Sequence, residues 1–127
     1  TMALVLTMLG LSPMGVNDIP ALDPGKSNAA RRCGELVMEA LRAERLPRAL
    51  LTPGAFRNAA VAAIASGGST NAVLHLLAIA GEAGVEFPIE RFNDCAEGTP
   101  VIADHMSPGS AMGMPARSWS WRAKKIR

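Results

Sequence analysis

Between Ala55 and Ala65 the chain places six alanines in eleven residues (Ala55, Ala59, Ala60, Ala62, Ala63 and Ala65), then breaks on Gly67-Gly68 before a second apolar run, "STNAVLHLLAIA" (Ser69 to Ala80). Alanine favours the helix and adds almost no bulk, so another element can approach such a helix closely. That composition predicts a buried helix. Thr52 as N-cap and Pro53 at the first helical position mark its start, and it runs to about Ser66. The glycine pair ends it, one glycine taking the left-handed conformation, and Ser69 or Thr70 caps a further helix, also buried, to about Gly84. Two helices meeting at a tight corner are the fixed point of this fold.

The rest is arranged around them. Leu4, Met8 and Leu11 keep helical spacing, which predicts the end of a buried helix. "GLSPMGVNDIPALDPG" (Gly10 to Gly25) sets Pro13, Pro20 and Pro24 among Gly10, Gly15 and Gly25, which neither a helix nor a central strand tolerates. A second helix, capped by Ser27 or Asn28, runs to about Leu46, with Ala29, Cys33, Leu36, Val37, Ala40 and Leu41 on one face and Arg31, Arg32, Glu35, Glu39 and Arg42 opposite. This is the pattern of a surface helix laid on a core. Pro47 makes a turn, and "VEFPIERFNDC" gives an extended piece to Pro88 and then one or two helical turns. "TPVIAD" (Thr99 to Asp104) is the best strand candidate. The expected fragment is predominantly α-helical with one or two short strands.

At 127 residues with 49% hydrophobic and 19% charged residues, the chain has the make-up of a globular domain rather than a disordered one. The formal net charge of +2 gives no case for nucleic acid, and much of it comes from Arg117, Arg122, Lys124, Lys125 and Arg127. Cys33 and Cys95 lack any CxxC or Cys/His spacing, so reduced thiols of a cytoplasmic protein are expected rather than a disulfide or a zinc site. The apolar N-terminus has no basic region and breaks at Gly10 and Pro13, fitting neither a signal peptide nor a membrane span. Because the chain opens on Thr1, a piece of a longer polypeptide is expected.

For chemistry, the Gly68-Ser69-Thr70-Asn71 corner is the first candidate. No lysine follows it, so it is not a nucleotide P-loop. A helix start with free N–H groups and no acid in its first turn suits a carboxylate or phosphate, but a plain turn between packed helices explains the same residues. His75 aligns with Asn71 and Glu82 on one stripe, where a hydrogen-bonded packing role outweighs catalysis. Asp104-His105 closes the candidate strand without completing a triad or a metal set. Asp18 and Asp23 match no calcium loop, and turn capping accounts for them equally well. The tail "RSWSWRAKKIR" (Arg117 to Arg127) could attract RNA or an anionic membrane, or could be an artefact of reading frame.

Taken together, "GGSTNAVLHLLAIAGEAGV" (Gly67 to Val85), "PIERFN", "TPVIAD", "IPALDP" and "LTPGAFRNA" resemble the N-terminal domain of the dihydroxy-acid and phosphogluconate dehydratase family. The resemblance runs from Thr1 to about Gly109, and the "HLLAIA" form points to the dihydroxy-acid branch. It implies a layered α/β/α parent domain and a hydro-lyase that converts 2,3-dihydroxy carboxylates to 2-oxo acids, as in branched-chain amino acid biosynthesis. It further implies an iron–sulfur cluster and Mg2+ in the intact enzyme, a small dihydroxy acid as substrate, a homodimer, and no nucleic acid or membrane partner.

By that resemblance Thr1-Met2 is the end of an Ala-Asn-Thr-Met segment following a cluster cysteine, and the other metal ligands and the general base also lie outside the chain. Neither Cys33 nor Cys95 matches a cluster ligand, no catalytic residue and no metal ligand is expected here, and the fragment alone should be inactive. Gly68, Ser69, Thr70 and Asn71 are left as a helix N-terminus facing the substrate or the cluster. After Gly109 the family's pattern is lost, so residues 1–109 are read as a partial N-terminal domain and 110–127 as a divergent basic tail, frameshifted or disordered. The alternatives are a sugar-acid dehydratase of the same family, acting on an aldonate or 6-phosphogluconate, and a small helical interaction module with a nucleic-acid-binding tail.

Overall fold

The computed structural model describes residues 1–102. It contains α1 (Met2–Met8), α2 (Lys26–Arg42), α3 (Pro47–Leu50), α4 (Pro53–Ala65), α5 (Thr70–Ala83) and α6 (Glu90–Gly98). The alanine-rich α4 is the hub, packing against α1, α5 and α6. Phe56, Ala59, Ala60 and Ala63 on it are buried, and around them close Val5 of α1 and Leu9 at its C-cap, Ala72, Leu76 and Ala80 of α5, Phe87, and Phe92 of α6. Small side chains on the hub are what let three helices share it.

α4 begins as its sequence dictates. The Thr52 hydroxyl accepts a hydrogen bond from the Ala55 amide at 3.2 Å, and Pro53 occupies the first turn. Thr52→Ala is expected to lower stability by about 1 kcal/mol in urea titration, the usual cost of an N-cap, while Thr52→Ser leaves it nearly unchanged. The helix closes with the paired bonds of a Schellman ending, Gly67 N–H to Ile64 O at 3.0 Å and Gly68 N–H to Ala63 O at 2.7 Å. Gly67 has φ +62° there, the backbone that a side chain resists.

α2 ends in the same arrangement, but Glu44 takes the left-handed position at φ 52°. Glu44→Gly is therefore expected to raise stability by roughly 1 kcal/mol, read from the same titration.

Several sequence expectations change. Gly25, not Ser27 or Asn28, is the N-cap of α2, and the Asp23 side chain holds it by accepting from its amide at 2.7 Å. α2 ends at Arg42, and a four-residue helix, α3, replaces the simple turn at Pro47. α2 is not laid on a core: only its Ala29 is buried. α5 is buried on one face alone, with Leu74 63% exposed.

Among the described residues there is no strand. Thr99 has extended backbone, and residues 99–102 pair with no strand among those described, though a strand needs a neighbouring strand to bond to; the Ile102 amide instead bonds Ala65 O at 2.7 Å. The rest of that candidate strand, His105, the Gly109 boundary and the basic tail lie outside the described residues.

The proline-rich loop is pinned by side chains that the sequence pattern did not single out. The Asn17 amide donates to Ala3 O at 3.2 Å, Thr7 Oγ1 at 3.1 Å and Ser12 Oγ at 2.9 Å. Lys26 Nζ donates to Ile19 O at 2.9 Å.

Candidate functional site

The corner between α4 and α5 is built from the Schellman ending of one helix and the start of the next. Gly67 is buried, Gly68 and Ser69 are half-buried, and Thr70 and Asn71 are exposed. Ser69 stands at the N-cap with extended backbone, but its hydroxyl makes no cap bond. Only its carbonyl engages, accepting from Ala72 N at 3.0 Å. The amides of Ser69, Thr70 and Asn71 have no acceptor among the described residues, and α5 has no acid in its first turn. The dipole at that end is thus left uncompensated by the described residues. The start of α1 closes against the corner: a Cβ on Gly68 would stand 2.9 Å from Thr1 Cγ2.

The other candidates are not gathered here. His75 is exposed and makes no hydrogen bond among the described residues, so the hydrogen-bonded packing role expected of it is not seen there. Glu82, on the same helix, accepts from Arg48 through its carbonyl at 3.3 Å. Asp23 is a turn cap, and Asp18 is exposed in the same loop.

Cys95 lies half-buried in a cleft between α4 and α6, with Arg57 and Arg91 at its walls. Burial pushes its thiol up from the ordinary range, against the pull of Arg57 and Arg91, which disfavours a thiolate ligand or nucleophile. A more apolar groove lies between α3 and α5, lined by Leu46, Pro47, Leu51, Ala78, Ile79 and Ala83. Neither cavity reaches the α4–α5 corner.

Among the described residues no three His, Cys, Asp or Glu side chains converge as a metal ion needs. Cys33 and Cys95 are free thiols. The described residues do not fit an iron–sulfur cluster or a magnesium ion, and no chemical step is assigned to them through either. No described helix is long and apolar enough to cross a membrane.

The sequence profile of the dihydroxy-acid/6-phosphogluconate dehydratase N-terminal domain matches residues 1–116. The chain belongs to this family. It is 48% identical over 109 residues to the dihydroxy-acid dehydratase of Roseiflexus sp. (strain RS-1), covering 86% of this chain and 20% of that protein. A dihydroxy-acid dehydratase of Thermus thermophilus is 50% identical over 104 residues, 82% of this chain and 19% of that protein. That of Haloarcula marismortui is 47% identical over 109 residues, 86% of this chain and 19% of that protein. The chain therefore spans about a fifth of the length of the relatives it matches. As a dehydratase-family segment it carries helices of an N-terminal domain, which accounts for a compact α1–α4–α5–α6 unit with large apolar residues still exposed around it. Membership also displaces the reading as a separate interaction module.

Proposed function

We propose that the chain is a working piece of a dihydroxy-acid dehydratase, a hydro-lyase that removes water from a 2,3-dihydroxy carboxylate to give a 2-oxo acid. The observation that carries this is the 48% identity over 86% of the chain to a protein of that name. The three relatives above share the dihydroxy-acid name, which favours that branch over sugar-acid dehydratases. In the whole enzyme an iron–sulfur cluster and Mg2+ would supply Lewis acidity toward the substrate. Their ligands, and the base that takes the proton from C2, belong to parts of the polypeptide outside this chain. A cytoplasmic homodimer serving branched-chain amino acid biosynthesis completes the reading.

For this chain's own residues the proposed part is positional. Gly68, Ser69, Thr70 and Asn71 present the start of α5, and its unbonded amides suit the substrate carboxylate or the anionic cluster. α4 holds that corner rigid from behind. The test is a chimera in which residues 1–109 replace the matching segment of the Roseiflexus enzyme. It is expected to dehydrate 2,3-dihydroxy-3-methylbutanoate in preference to gluconate, read as 2-oxo acid formed. A folded chimera that turns over only gluconate would move the assignment to the sugar-acid branch, and one inert to both would overturn it.

A further inference from the structure

α2 is the element the dehydratase reading leaves without a partner. Its charged side is satisfied internally: Arg31 pairs with Glu35 at 2.6 Å, and Arg32 with Glu35 at 3.2 Å and Glu39 at 3.1 Å. Its apolar side is not satisfied among the described residues. Ala29 is buried and Leu36 and Ala40 are half-covered, but Val37 is 58% exposed, Leu41 63% and the adjoining Met38 48%. α2 takes no substantial part in the helix packing, which joins α4 to α1, α5 and α6.

We propose that the Val37–Leu41 face of α2 docks onto the body of the dehydratase polypeptide that lies beyond this chain's share of it, forming a seam within one subunit. The inference rests on the dehydratase reading above. Length supplies the occupant, because the relatives extend to about five times the matched segment. Area argues against a second copy. The 17-residue helix offers a strip about 25 Å long and 10 Å wide, roughly 250 Å², against the ~800 Å² per partner of a stable association. A segment already tethered in the same polypeptide avoids the loss of free translation that such a small contact cannot offset. Charge gives little case for nucleic acid or an acidic peptide, since Val37, Met38 and Leu41 carry no ionised group and Arg31 and Arg32 are engaged with glutamates, which leaves Arg42 as the one helix arginine without an ion pair among the described residues.

The test introduces Val37→Lys with Leu41→Lys in this chain, and the same two lysines at the aligned positions of the full-length Roseiflexus enzyme. In this chain, binding of an apolar fluorescent dye is expected to fall about twofold with helical circular dichroism unchanged, because open apolar surface is removed. In the full-length enzyme Tm is expected to fall by roughly 5 °C or more, because two charges enter a dry contact. An unmoved full-length Tm would overturn the seam. So would sedimentation of this chain as a dimer that the lysines split, which would make the occupant a second copy.

Should the lysine variant fail to accumulate, Val37→Cys reads the same point. It is expected to react with a maleimide about tenfold more slowly in the full-length enzyme than in this chain, as burial limits thiol access, and equal rates overturn the proposal. An inactive chimera alongside a lowered Tm would leave the seam standing and count against the catalytic reading alone.

Discussion

Phe56→Ala is expected to cost about 3–5 kcal/mol, enough to unfold most of a marginal chain of this size. Phe56 is fully buried on α4 and is the largest such side chain. Its ring centroid lies 5.6 Å from that of Phe87, which in turn stands edge-on at 5.6 Å to Phe92 on α6. The three rings carry the packing from the hub through the 85–88 segment to α6, where alanines alone leave too little surface to bury. Removing the first ring opens a cavity that the backbone of α4 cannot close, because Ala59, Ala60 and Ala63 already hold its neighbours at close range. Urea denaturation followed by circular dichroism measures the loss. Leu22→Ala is the control: Leu22 is 98% exposed, and its change stays within about 0.5 kcal/mol. A loss at Phe56 no larger than at Leu22 would mean that α6 and α4 do not share a core.

What could be read from the sequence was what is written locally. Thr52-Pro53 and the Gly67-Gly68 pair marked both ends of α4 because a side-chain cap and a left-handed glycine, here Gly67, act within a few residues of themselves. Three apolar faces were also legible, those of α1, α4 and α5, since their partners lie in this chain. α2 shows the limit of the same argument. Its periodicity correctly gave an amphipathic helix, yet periodicity says only that a face wants covering and not whether the cover is present. The strand expected from Thr99 has no partner among the described residues for a related reason, as a strand is a property of a pair.

The cap of α2 was misread because Ser27 and Asn28 looked like caps by type, whereas Asp23 reached the Gly25 amide from outside the helix. Asn17 and Lys26 carried no periodic signal at all, since each bonds backbone or hydroxyl oxygens of segments several residues away. The candidate site was legible as a corner between helices, and its chemistry was not, because a helix start is written in the sequence and what it faces is not.

Gly68→Ala is the sharpest probe of that corner, with an expected cost of about 2–4 kcal/mol. The reason is contact rather than conformation. A Cβ at position 68 would sit 2.5 Å from Ala63 O and 2.9 Å from Thr1 Cγ2. Ala63 O is also the acceptor of the Gly68 amide at 2.7 Å, so any shift that relieves the clash stretches the bond that seals α4. Hydrogen exchange should localise the damage to the end of α4 and the first turn of α5.

Gly81→Ala gives the opposite sign: its Cβ meets nothing within 4 Å on α5, and a gain of about 0.5–1 kcal/mol is expected. Ser69 and Thr70 then separate structure from function. Neither hydroxyl caps the helix, so the Ser69→Ala, Thr70→Ala double variant should stay within about 0.5 kcal/mol of the parent in stability. In the chimeric dehydratase, a rise in KM from that variant without loss of Tm would come from hydroxyls that face the ligand. An unchanged KM would reduce the corner to a hinge between two packed helices.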